Sequence, residues 1–166
     1  MTEVLNPIGT PDAPEPGATP GTDPTPTHAL STSKIDLVVE SVITLINGMG
    51  TNFANIRRGA LGTVSGLCCE IAPSMPQTVF YDKNSYITLT LALNGKHHDM
   101  RVLDNTLNNI YDTLTRMKSY PSGSGWEIVD ITGGNITRII GREDKNLWIA
   151  ACDLVIKFYR KDDEPE

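Results

Sequence analysis

The 166 residues carry 14 bases against 20 acids, a formal net charge of −6, and only 6% are aromatic. Four acids and no base precede Lys34, and four acids with two bases follow Tyr159, so the stretch between holds 12 of each and is neutral. A neutral domain lacks the basic stripe of a phosphate-backbone binder. No apolar run reaches the roughly 18 residues of a membrane span, and three cysteines, two of them adjacent, make no secreted disulfide framework.

Residues 1–30 hold Pro7, Pro11, Pro14, Pro16, Pro20, Pro24 and Pro26, with glycine and threonine between them. Each proline removes a backbone donor, and few large apolar side chains offset the entropy of ordering. This composition predicts a disordered tail, either a passive solubilising one or a tether that orders on a partner. It shows neither the basic region nor the apolar stretch of a secretory signal, so cytoplasmic synthesis is expected. A single domain is expected over 31–160, with a short acidic tail at 161–166.

Ser31 or Ser33 can cap a first helix, with Asp36 and Glu40 suited to its positive end. Ile35, Val38, Val39, Val42, Ile43 and Ile46 recur at three- and four-residue spacing, and Gly48 and Gly50 stop the helix. Its β-branched residues weaken intrinsic helicity, so it needs a sheet to lean on. Residues 51–66 give no clear pattern, and Arg57-Arg58 reads as a solvated pair. Leu67 to Ala72 reads as a strand closed by Pro73 and Pro76.

From Tyr86 to Leu93 the chain alternates, with Ile87, Leu89, Leu91 and Leu93 on one face and Tyr86, Thr88 and Thr90 on the other. Asn94-Gly95 is expected to break this strand, and Asp99 to cap a second helix. Met100, Leu103, Leu107, Ile110, Leu114 and Met117 form that helix's apolar stripe. Trp126 to Thr132 reads as a strand, Gly133-Gly134 as a turn or bulge, and Ile136 to Ile140 as a second short strand. Leu147 to Tyr159 is a long last strand, apolar on one face from Trp148 to Phe158. Its other face turns from apolar at Ile149 and Ala151 to polar beyond Val155. The fold class expected is α+β: a small mixed, mostly antiparallel sheet with two helices packed on it, preceded by the proline-rich tail.

No arrangement in the chain carries a known chemistry. His97 and His98 are adjacent on a strand end and point apart, so they cannot chelate one ion as an i,i+4 helical pair could. Cys69 with His97 or His98 is the one conceivable nucleophile–base pair, which would make a small cysteine-dependent enzyme. The stretch Ile139 to Ile149 superficially resembles the loop of a KH domain, the nucleic-acid alternative. Asp144 stands where that loop needs a second glycine to approach phosphates.

The strand ending Ile71-Ala72-Pro73, the strand Ile87 to Leu93 and the helical stretch Asp104 to Leu114 together resemble a known family. So does Trp126-Glu127-Ile128-Val129-Asp130-Ile131-Thr132 leading to the long closing strand. The order is similar to that of the minor capsid or tail-terminator proteins of long-tailed phages, in which a leading helix, here Ser33 to Ile46, precedes the sheet. The proline-rich tail lies outside that family's core, and Gly133-Gly134-Asn135 replaces a proline expected after Thr132. The resemblance implies a structural virion protein: a tail terminator or head–tail joining subunit that closes the tail as a ring, commonly a hexamer. It implies no catalytic residue, cofactor, metal or membrane. Its partners would be other copies, the tail-tube protein and neck or head-completion proteins, with DNA passing through the ring without sequence-specific binding. It would be made in the host cytoplasm and reside in the virion. Candidate contact residues are Tyr86, Thr88 and Thr90 on one strand and Ile149, Ala151 and Val155 on the other, as half-apolar strands are places where another chain can add.

Overall fold

The structure, a computed structural model, describes residues 33–72, 77–80, 84–143 and 146–161. The expected tail at 1–30, the prolines at 73 and 76, the turn residues Asp82 and Lys83, and the acids from residue 162 on lie outside these.

The chain forms α1 (Lys34–Gly48), β1 (Arg57–Arg58), β2 (Gly66–Ile71), β3 (Gln77–Val79) and β4 (Ser85–His97). Then follow α2 (Met100–Thr115), β5 (Ser122–Gly123), β6 (Trp126–Glu143) and β7 (Leu147–Arg160). Seven strands make one sheet in the order β1-β2-β4-β7-β6-β5, with β3 also on β4. The β1–β2 pair is parallel and the others are antiparallel. The α+β class with a mixed, mostly antiparallel sheet is thus the observed one.

Both helices start where the sequence places them. Ser33 caps α1 through its hydroxyl, which accepts from the Asp36 amide at 3.1 Å and donates to the Asp36 carboxylate at 2.7 Å. Asp99 caps α2 by accepting from the Arg101 amide at 2.8 Å. Both apolar stripes join one core with the inward residues of four strands. That core takes Val38, Val42 and Ile46 from α1 and Leu103, Leu107, Ile110 and Leu114 from α2. On the sheet it takes the odd-numbered residues of β4 from Ile87 to Leu93 and the even-numbered residues of β7 from Ala150 to Phe158. The helices therefore share one face of the sheet. After α1 the side chain of Asn47 holds the backbone of Ile56, accepting its N–H at 2.7 Å, and so delivers Ile56 into the core.

Two strands run further than the sequence suggests. Asn94-Gly95 does not break β4, which continues to His97 in register with β7, Gly95 opposite Ala150. The glycine serves tertiary packing: a Cβ there would fall 2.5 Å from Leu103 Cδ1 and 2.8 Å from Leu67 Cδ2. Of the two readings for Gly133-Gly134, turn or bulge, the register shows an irregularity there, and the glycines do not end the strand. β6 is one strand of 18 residues with four register irregularities, at Ile128/Asp130, Gly133/Asn135, Asn135/Arg138 and Ile139/Gly141. Bulges of this kind let a long strand bend without losing its partner. At Gly133 a Cβ would overlap the Tyr111 hydroxyl, so the glycine admits α2 against the sheet.

Candidate assembly surfaces

The six residues expected at a contact lie on one face, the one opposite the helices. The register sets Tyr86 against Tyr159, Thr88 against Lys157 and Thr90 against Val155. Further along, Asn94 faces Ala151 and Lys96 faces Ile149. Tyr86, Thr88, Thr90, Ile149 and Val155 are half-buried. Ala151 is only 3% exposed, so it is withdrawn as a contact residue. Topology leaves little open edge at which another strand could add here. β4 is flanked by β2, β3 and β7, and β7 by β4 and β6, so over their paired lengths neither offers an open edge. What these residues can offer is a face.

At the Ile149 end of that face lies a buried cation. Lys96 is 4% exposed, and its Nζ donates to the Gly62 carbonyl at 3.0 Å and to Glu143 Oε2 at 2.7 Å. Burying an ammonium is costly unless it is paired and hydrogen-bonded, and here both conditions are met. The contact ties the loop before β2 to the far end of β6.

At the other end an open groove of about 910 Å³ is lined by Phe80, Tyr86, Tyr120, Glu127, Val129, Asp130 and Tyr159, with Met117 and Lys118. Phe80 meets Tyr86 edge-on at 5.5 Å between centroids, and Tyr86 meets Tyr159 at 5.3 Å. Lys157 Nζ sits 4.9 Å from the Tyr86 ring centre, a cation on an aromatic face. In a chain so poor in aromatic residues, four of them in one groove is a concentration. Periodicity did not find it, because Phe80, β4, β6, β7 and the segment after α2 meet only in three dimensions.

The outer side of β6 is the third surface. Among the described residues β5 pairs only with Trp126 and Glu127, and the Pro121 carbonyl accepts the Ile128 N–H at 3.2 Å, so from Val129 to Glu143 no strand pairs with β6 on that side. Val129, Ile139 and Ile140 are 46%, 45% and 58% exposed, and Arg138 and Arg142 are exposed beside them. The adjacent Ile139-Ile140 pair was the sequence signal for this, since neighbours on a strand point to opposite faces and cannot both enter one core.

The cysteines and histidines sit elsewhere. Cys68, Cys69 and Cys152 are free and buried. Burial pushes the Cys69 thiol up to about 11 and the Cys152 thiol up to about 12, and it raises Cys68 as well. A nucleophilic cysteine needs the opposite shift. His97 is engaged at the start of α2, where its Nδ1 accepts the Asp99 N–H at 2.9 Å, and its ring packs on Phe53. The KH-like stretch is the hairpin end of β6 and β7, closed by Asn146 with φ 59°. Among the described residues no three His, Cys, Asp or Glu side chains are grouped to hold a metal ion, and no helix is long and apolar enough to cross a membrane.

A comparison of the chain with protein-family models finds no match, and neither does a comparison with curated proteins.

Proposed function

We propose that this protein is a structural subunit of a long-tailed phage, a tail terminator or head–tail joining protein that acts as a closed ring at the head-proximal end of the tail. The observation that carries this reading is the one-sided sheet. Both helices pack on one face, while the other face, the aromatic groove and the outer side of β6 present side chains suited to contacts. The resemblance read in the sequence implies a leading helix before a sheet with a second helix packed on it, and α1 and α2 on one face of the sheet support that reading. On this reading the protein has no catalytic task and no cofactor. It is made in the host cytoplasm and ends in the virion. It meets copies of itself, commonly six, together with tail-tube and neck or head-completion proteins, and DNA passes through without being read.

The buried, high-pKa thiols weigh against the cysteine-enzyme alternative, and the neutral charge balance between Lys34 and Tyr159 weighs against a phosphate-backbone binder. The test is imaging of assembled tails or necks with this protein labelled. A ring of copies at the tail end is the expected result. Isolated copies without mutual contact, or absence from the particle, would reject the reading.

A further inference from the structure

β1 and β2 are parallel neighbours, with Arg57 opposite Cys68 and Arg58 opposite Cys69. The chain between two parallel strands has to return across the sheet, and here residues 59–65 make that return. The helices fill one face. Gly95 turns towards Leu103 of α2, so Lys96, the next residue of β4, points to the other face. From there its Nζ reaches the Gly62 carbonyl at 3.0 Å. The connection is therefore a strap over the helix-free face. It leaves the sheet at Gly59, whose N–H donates to the Cys69 carbonyl at 3.0 Å, and rejoins it at Gly66. Between those levels lies Cys68, which is 5% exposed although it is outside the core that takes its neighbour Cys69.

The strap is lightly held. Among the described residues no backbone–backbone hydrogen bond is made by 60–65. Ala60, Gly62, Thr63 and Val64 are exposed, Val64 to 70%. Gly59 has φ 121°, which a side chain would resist, and nothing lies within 4 Å of a Cβ added at Gly59, Gly62 or Gly66. Packing thus asks for no glycine at these three places, and what they supply is backbone freedom. The polar tie is Lys96, which holds Glu143 Oε2 at 2.7 Å with the same ammonium. A segment with few buried contacts and no ladder opens locally, at a fraction of the free energy of global unfolding.

We infer that residues 59–66 are a hinged cover, latched by Lys96 and turning about Gly59 and Gly66, which opens while the core stays folded and uncovers Cys68. This goes beyond the ring-forming reading and does not depend on it. Opening also lengthens the helix-free face at its Ile149 end, because Lys96 lies opposite Ile149 in the sheet.

The experiment follows iodoacetamide labelling of the native full chain, with each modified cysteine located by peptide fragmentation. Cys68 should label about tenfold or more ahead of Cys69 and Cys152, which belong to the core and react only on deeper unfolding. Low urea should hardly change the Cys68 rate, because opening the strap exposes little surface, whereas the other two should follow the slope of global unfolding. Lys96→Met should speed Cys68 about tenfold relative to Cys69. The Lys96 charge favours the Cys68 thiolate, so its loss alone would slow the reaction, and acceleration reports opening. Gly62→Ala meets no neighbour and keeps the latch. By restricting the open strap it should slow Cys68 about two- to fivefold. Cys68 labelling in step with Cys69 at every urea concentration would overturn the inference. So would a Cys68 rate that neither substitution changes relative to Cys69.

Discussion

The burial of single groups gives the first set of measurable consequences. Desolvation disfavours a thiolate, so the folded state holds the protons of Cys69 and Cys152 more tightly than the unfolded chain does. Their contribution to stability is present below the unfolded thiol pKa and is lost as pH rises through about 11 and about 12. At pH 8 an aromatic disulfide reagent should label the native thiols about two orders of magnitude more slowly than the unfolded ones; labelling at equal rates would mean that a thiol reaches solvent. Asp36 has the opposite sign. The Ser33 hydroxyl and then the Arg58 guanidinium hold its carboxyl below the usual range. That stabilisation exists above the unfolded aspartate pKa and disappears as pH falls through the lower folded value. Asp36→Asn should therefore melt below the unaltered protein at pH 7, with the gap closing under acid. Lys96 is the buried charge most dependent on a partner. Glu143 is 44% exposed, so solvent screens the pair. Glu143→Gln should cost about 1 kcal/mol in urea unfolding, and Lys96→Ala more, because it also empties a packed site.

Between elements, the decisive positions are those where a helix presses on the sheet. Gly95 lets Leu103 and Leu67 close over β4, and Gly133 lets Tyr111 reach β6. An added methyl at either site overpacks the contact, at a cost of about 1–3 kcal/mol. Gly133→Ala should be partly relieved by Tyr111→Phe, which removes the overlapping hydroxyl; equal destabilisation in both backgrounds would show that the contact is not the cause. These two glycines also explain where the strand boundaries were misread. In sequence a glycine weakens a strand, and Asn-Gly is the usual sign of a turn. Here antiparallel pairing to β7 on one side carries β4 through Gly95, and bulges carry β6 through Gly133-Gly134. Helix ends depend on local chemistry instead, and Ser33 and Asp99 were readable as caps for that reason. Asp99→Ala should cost about 1 kcal/mol.

For the molecule as a whole, the core of the described residues spans Val38 to Phe158. Removing residues 1–30 should leave the melting temperature of the domain unchanged, measured by calorimetry; a fall of several degrees would place part of the tail in the stability of the fold. The same architecture sets what assembly can use. With β4 and β7 central, a face, the groove and the outer side of β6 are the surfaces on which contacts can form. Of the six expected contact residues, Tyr86 is the one that lines the groove, and Ala151 is too buried to serve.

The amino-acid sequence by itself determined both helices, the inward face of β4 and β7 and the fold class, because each follows from side-chain period and from capping groups a few residues away. The order β2-β4-β7-β6, the continuity of β4 and β6, and the partners of Lys96 were decided only by the tertiary structure. They depend on groups 47 residues apart, as in Lys96 and Glu143, or on a helix that needs a glycine to come close. The groove belongs to the same class. Its aromatic rings and carboxylates come from five separated segments, and no period along one segment could bring them together.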